Sequence, residues 1–116
     1  MHELALMQEV CALALQAAAA DGAHQITRIE LMVGTGAGVD AMALRHAFSV
    51  VMAADAGHAA AGAELQLTVV PTRCWCPHCR QSFEPVDVIH ACNRCGSLSS
   101  TVLQGRELEI TALEVR

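Results

Sequence analysis

"CPHCRQSFEPVDVIHACNRC", residues 76–95, is the stretch on which the fold turns. It holds two Cys-x-x-Cys pairs, Cys76/Cys79 and Cys92/Cys95, separated by twelve residues. A two-residue gap lets both thiolates of a pair turn toward one ion, and two such knuckles complete a tetrahedron of soft ligands. Zinc suits that closed set, so the expected role is structural. In small modules of this kind metal binding contributes on the order of 10–16 kcal/mol to folding. A redox dithiol is the competing reading. It needs the Cys-x-x-Cys at the start of a helix in a strand-helix-strand pattern, which Pro77 and the polar residues after it do not supply. Cys74 is a further thiol that could take the place of Cys76, although its gap to Cys79 is wide for a knuckle. His78 and His90 lie nearby in sequence, either as donors to the thiolate sulfurs or as solvated side chains.

The rest of the chain explains why a staple is useful. It has 116 residues, enough for one domain, and is 53% hydrophobic, but much of that is alanine and only three residues are aromatic. Such a core is light. The net charge is −5, and the seven basic residues are all arginine, scattered from Arg28 to Arg116. Nucleic-acid binders carry a basic stripe and often aromatic platforms, so a protein or a small ion is the expected partner. No basic leader precedes the first apolar segment, which Gln16 and Asp21 interrupt, and no membrane span is expected. Six cysteines without a secretion signal point to metal binding in the cytoplasm rather than to disulfides.

Upstream of the knuckles the apolar periodicity is that of an α/β layer. Leu4, Met7, Cys11, Ala14 and Ala18 form a helical stripe that Asp21-Gly22 ends, with Cys11 as a small buried apolar group. "QITRIELMV" alternates as a strand, with Thr27, Ile29, Leu31 and Val33 on one face and Arg28 and Glu30 on the other. "GTGAG" (34–38) follows. It lacks the spacing of a phosphate loop and reads as a flexible turn. Asp40 is placed to cap a helix from about Ala41 to Ala56 with the stripe Ala41, Leu44, Phe48 and Val51, ended by Gly57. "ELQLTVV" supplies a second strand with Leu65, Leu67 and Val69 on one face, parallel to the first. After the knuckles, "RELEITALEVR" reads as a third strand whose alternation slips between Ile110 and Leu113, as a bulge or a two-sided environment near Thr111 would cause. The predicted architecture is a small two-layer α/β domain, with a three-stranded mixed sheet, two helices and an inserted zinc-ribbon-like module. Residues 1–70 and 105–116 form the α/β part and 71–104 the insert.

The chain starts Met-His-Glu, and taken alone His2 reads as a solvated side chain at a frayed terminus. The amine of Met1, the amide nitrogen of His2 and its imidazole Nδ1 can close a five-membered and a six-membered chelate ring on one ion. That nitrogen-rich, square-planar set suits Ni(II). Glu3 can add its backbone amide or its carboxylate.

Met-His-Glu at the start, an α/β first half, the segment "VGTGAGVDAMALRHAF" (33–48) and two knuckles before a final strand together resemble the HypA/HybF nickel metallochaperones of hydrogenase maturation. The resemblance spans essentially the whole chain. It implies delivery of Ni(II) to the [NiFe]-hydrogenase large subunit together with a maturation GTPase. It also implies that His2 and Glu3 belong to the nickel site, that Asp40 is a further ligand if it is not only a helix cap, and that Zn(II) sits in the four thiolates. Many relatives carry an acidic residue and leucine where Thr35 and Gly36 stand, and some carry histidine where Arg80 and Gly96 follow the knuckles. No catalytic pairing of nucleophile and base is legible, and an enzyme is not expected. The competing function is a zinc-ribbon protein-interaction module with an inert N-terminus.

Overall fold

A computed structural model of the chain describes residues 3–54, 59–86 and 89–116. The first element, α1 (Glu3–Ala20), buries Met7, Val10, Cys11, Ala14 and Ala18. Its end is a Schellman motif. Gly22, at φ 74°, donates its amide to Ala19 O at 3.0 Å, and Ala23 donates to Ala18 O at 2.9 Å. Glycine takes that left-handed position without the Cβ penalty, and the two bonds satisfy carbonyls the helix would leave open. α1 is long and apolar enough to meet a length-and-composition test for a membrane span, a test that the core helix of a globular protein passes too. Here it packs on a second helix and on a sheet instead, its two glutamates and Gln8 and Gln16 notwithstanding.

β1 (Ile26–Gly34) is the central strand. β2 (Glu64–Val70) pairs with it in parallel and β6 (Leu108–Val115) antiparallel, giving the order β2-β1-β6. The predicted mixed sheet of three strands under two helices is the observed layer. α2 (Ala41–Ala54) lies over β2 and beside α1, burying Leu44, Ala47 and Phe48. Its expected extension to Ala56 and the stop at Gly57 lie outside the described residues.

Two bulges set the register of β1 against β6. Ile26 pairs with Val115 and Arg28 with Glu114, leaving Thr27 extra on β1; Glu30 pairs with Ala112 and Leu31 with Ile110, leaving Thr111 extra on β6. The second is the slip the alternation predicts. The first corrects an expectation: Ile26, not Thr27, takes the buried place, because the extra residue flips the parity of the strand start. Each bulged threonine turns its hydroxyl to the partner strand. Thr27 Oγ1 donates to Glu114 O at 3.1 Å and Thr111 Oγ1 to Glu30 O at 3.3 Å. At the far end of β2, Val69 is 48% exposed, so only Leu65 and Leu67 of the expected stripe reach the core.

Between β2 and β6 the chain builds a second sheet from β3 (Arg73–Cys76), β4 (Gln81–Phe83) and β5 (Thr101–Gln104), ordered β4-β3-β5 and antiparallel throughout. Its small core is Cys74, Cys76, Phe83 and Cys92, with Val102 and Cys79 against it. The molecule is long, 55 × 25 × 16 Å.

The two sheets meet where backbone touches backbone. Gly34 donates its amide to Glu107 O at 2.7 Å, Thr35 to Val70 O at 2.9 Å and Gly36 to Gly105 O at 2.6 Å. Thr35 Oγ1 and Thr72 Oγ1 are 2.7 Å apart, and the Thr72 amide donates to Thr35 Oγ1 at 3.0 Å. A Cβ on Gly34 would lie 2.0 Å from Gly105 O, and one on Gly105, at φ +112°, 2.4 Å from Thr72 Cα. Glycine here serves close approach rather than the slack expected of "GTGAG". Strands entering and leaving the second sheet are thus tied to one loop, the loop that runs on to Asp40.

Candidate metal centres

The four thiols of the knuckles converge. Cys76, Cys79, Cys92 and Cys95 Sγ all lie within 4.8 Å of one another, and Cys76 Sγ and Cys95 Sγ are 3.6 Å apart. A tetrahedral zinc with bonds of about 2.3 Å sets sulfurs about 3.8 Å apart. The cluster fits a structural zinc site.

Both knuckles are built alike. In the first, the Cys79 amide donates to Cys76 Sγ at 3.4 Å and the Arg80 amide to Cys76 O at 2.8 Å, with Arg80 at φ 54°. In the second, the Arg94 amide donates to Cys92 Sγ at 3.4 Å and the Gly96 amide to Cys92 O at 2.8 Å, with Gly96 at φ 77°. The left-handed residue after each pair turns the chain back so that both sulfurs share one side. Amides aimed at sulfur favour thiolate. The Ser97 hydroxyl and amide hold Cys95 down to about 6, and backbone amides of Cys95 and Arg94 lower Cys92. Cys79 is pushed up to about 11, first by its hydrogen bond with Cys95, while the Arg94 guanidinium pulls the other way. Both thiols of the second knuckle are thus shifted toward thiolate relative to an ordinary cysteine.

Cys74 stands apart from this set. β-strand alternation gives Cys74 and Cys76 the same face, but Cys74 is fully buried between Phe83 and Val102, and burial pushes its thiol up. Its place is core, not ligand. Cys11 behaves the same way in the first core, its thiol raised by burial. His78 is exposed, and His90, half-buried at φ 60°, lines a cleft with Thr35, Thr72 and Glu84 rather than the thiol cluster.

The second candidate centre is at the start of the chain. Met1 and His2 lie outside the described residues. Glu3, the first residue of α1, accepts a hydrogen bond through Oε1 from the Asp40 amide at 3.4 Å. Asp40 caps α2 as its position predicts, with Oδ1 accepting from Met42 N at 2.8 Å and Ala43 N at 3.3 Å. The two acidic residues singled out in the sequence are thus neighbours. The sequence did not reveal the Thr35–Thr72–Gly105 tie, because Thr72 lies 37 residues beyond Thr35 and Gly105 further still, in pairs no local pattern connects; the run of glycines is the sole hint.

A two-layer α/β protein with an inserted four-thiol lobe, and with two acidic residues brought together at the starts of its helices, has the make-up of a small metal-handling protein. The family model described as hydrogenase/urease nickel incorporation, metallochaperone, HypA matches residues 1–115. The hydrogenase maturation factor HypA of Picosynechococcus sp. is 38% identical over 115 residues, 99% of this chain and 99% of that protein. Its counterpart from Synechococcus sp. is 42% identical over 115 residues, again 99% of each chain. The solution structure of the Ni metallochaperone HypA from Helicobacter pylori aligns with a TM-score of 0.68 at 24% identity, covering 99% of this chain and 97% of that one, a likeness of fold. This chain belongs to the HypA family, the nickel metallochaperones of hydrogenase maturation.

Proposed function

We propose that the chain takes up Ni(II) at its N-terminus and passes it on to the hydrogenase large subunit in concert with a maturation GTPase, working in the cytoplasm and catalysing no reaction of its own. The Met1 amine, the His2 amide and imidazole, and Glu3 hold the cargo ion, with Asp40 as a further ligand. Zn(II) in Cys76, Cys79, Cys92 and Cys95 stays with the protein and stabilises an insert of residues 71–104 within an α/β domain of residues 1–70 and 105–116. The division of labour follows from exchange: a site at a chain end can open ligand by ligand, whereas four thiolates around one ion form a closed set.

The observation that carries this reading is the 3.4 Å contact between the Asp40 amide and the Glu3 carboxylate. It supports a site in which the start of α1 and the start of α2 face one ion, with helix N-termini supplying rigid footing.

Native mass spectrometry of untagged protein titrated with nickel tests it. One zinc and one added nickel are expected, with the nickel lost in His2→Ala and the zinc retained. Protons compete for the same nitrogens, whose ordinary pKa values are roughly 7.7–8.0 for the amine and roughly 6.5 for the imidazole. Affinity for nickel should accordingly fall as pH drops below neutral. Equal nickel binding by both proteins, or binding indifferent to pH, sinks the assignment and leaves a zinc-stapled interaction module.

A further inference from the structure

Helix α1 carries more apolar surface than its own fold covers. Beside the stripe that faces the core, Leu6, half-buried against that core, and Leu13, 48% exposed, lie seven residues apart on a second line. Between that line and the sheet lies a groove of about 270 Å³, lined also by Val10, Leu31, Leu108 and Ile110. Glu9 and Glu109, both exposed, are the charged side chains that line it.

We propose that this groove is the docking site of an amphipathic, basic helix on a protein partner. Small-molecule pockets start at roughly 300 Å³ and enclose most of their ligand; an open groove below that size suits one or two apolar side chains projecting from a larger body. A helix laid in such a groove reads it with anchors three, four and seven residues apart. The two glutamates then call for lysine or arginine beside the anchors, in a protein whose net charge of −5 already favours a basic partner. A second copy of this chain does not meet the requirement: α1 has no basic residue, and α2 has only Arg45 and a histidine. The occupant is another protein. Glu9 lies about 9 Å along the helix from Glu3, so a docked partner sits beside the start of the chain. Its use in nickel transfer rests on the proposed nickel function; the groove itself does not.

The probe is a synthetic peptide of about five helical turns with leucines at that spacing and lysines flanking them, beside a twin with glutamates in place of the lysines. Zinc-loaded, 15N-labelled full-length protein is titrated with each and followed by amide chemical shifts. The lysine peptide is expected to move the amides of residues 6–13 and 108–110 and to bind at least about tenfold more tightly than the glutamate peptide. Leu13→Asp should weaken it by about the same factor. Glu9→Lys with Glu109→Lys, both on exposed positions, should reverse the preference between the peptides while Val69→Asp changes nothing. Absence of binding, equal binding of the two peptides, or shifts centred on another surface such as Trp75 and Leu103 overturns the proposal. Nickel titration is a separate readout: a protein that binds the lysine peptide but takes up no nickel counts against the N-terminal site alone.

Discussion

Asp40 performs two roles that substitution can separate. Its Oδ1 caps α2 at 2.8 Å from the Met42 amide, while its backbone amide holds the Glu3 carboxylate. Asparagine caps a helix as well as aspartate does, and alanine does not. Asp40→Ala should therefore cost about 1 kcal/mol in denaturant unfolding, and Asp40→Asn close to nothing. Nickel titration supplies the other half: if the carboxylate binds the ion, Asp40→Asn loses affinity at unchanged stability, and an unchanged affinity removes Asp40 from the ligand set. The cap was legible, since it needs only an aspartate just ahead of an apolar periodicity. The contact with Glu3 was not, because the two lie 37 residues apart and tertiary packing alone joins them.

Elements were readable to the extent that their apolar period was regular. α1, α2 and the three strands of the main sheet follow from it, and so does the bulge at Thr111, where the slip falls between two strong apolar pairs. Alternation alone puts Thr27 on the core face, because a bulge at a strand end leaves no second pair to reveal the change of parity. Within the knuckles, geometry depends on single residues with left-handed backbone. A Cβ added at Gly96 would meet no atom within 4 Å, so only the φ of 77° resists a side chain there. Gly96→Ala should thus destabilise the cysteine lobe by about 1 kcal/mol. Arg80 already occupies such a conformation at φ 54°, and Arg80→Gly should shift stability by less than about 0.5 kcal/mol, relief of strain being offset by a looser unfolded chain. Thermal melting of the zinc-loaded protein compares the two.

On the scale of the whole molecule, two apolar clusters share no buried residue: one lies between the helices and the main sheet, the other around Cys74 and Phe83. The second is too small to hold on its own and relies on the thiol cluster. Removing zinc with a strong chelator should melt the cysteine lobe and spare the α/β layer. The chain's single tryptophan, Trp75, sits in β3 between two cysteines and reports on that lobe. Its fluorescence is expected to change on chelation while far-ultraviolet helix signal persists; simultaneous loss of both would mean one cooperative unit. The spacing of the knuckles made this lobe visible in the sequence, and the acidic balance argued against a nucleic-acid role. How the two lobes are joined was not visible, since backbone contacts leave little trace beyond a scatter of glycines.

That join is a pivot without padding. At Gly34 and Gly105 the two lobes are spaced by hydrogen atoms alone, with Gly105 O beside Gly34 and Thr72 beside Gly105. In a body 55 Å long, a methyl group driven in there acts as a wedge at the fulcrum of a lever. The disturbance is angular: each lobe can keep its own interior while its far end swings through space. Those two glycines therefore set aim: they decide where the cysteine lobe points relative to the start of α1.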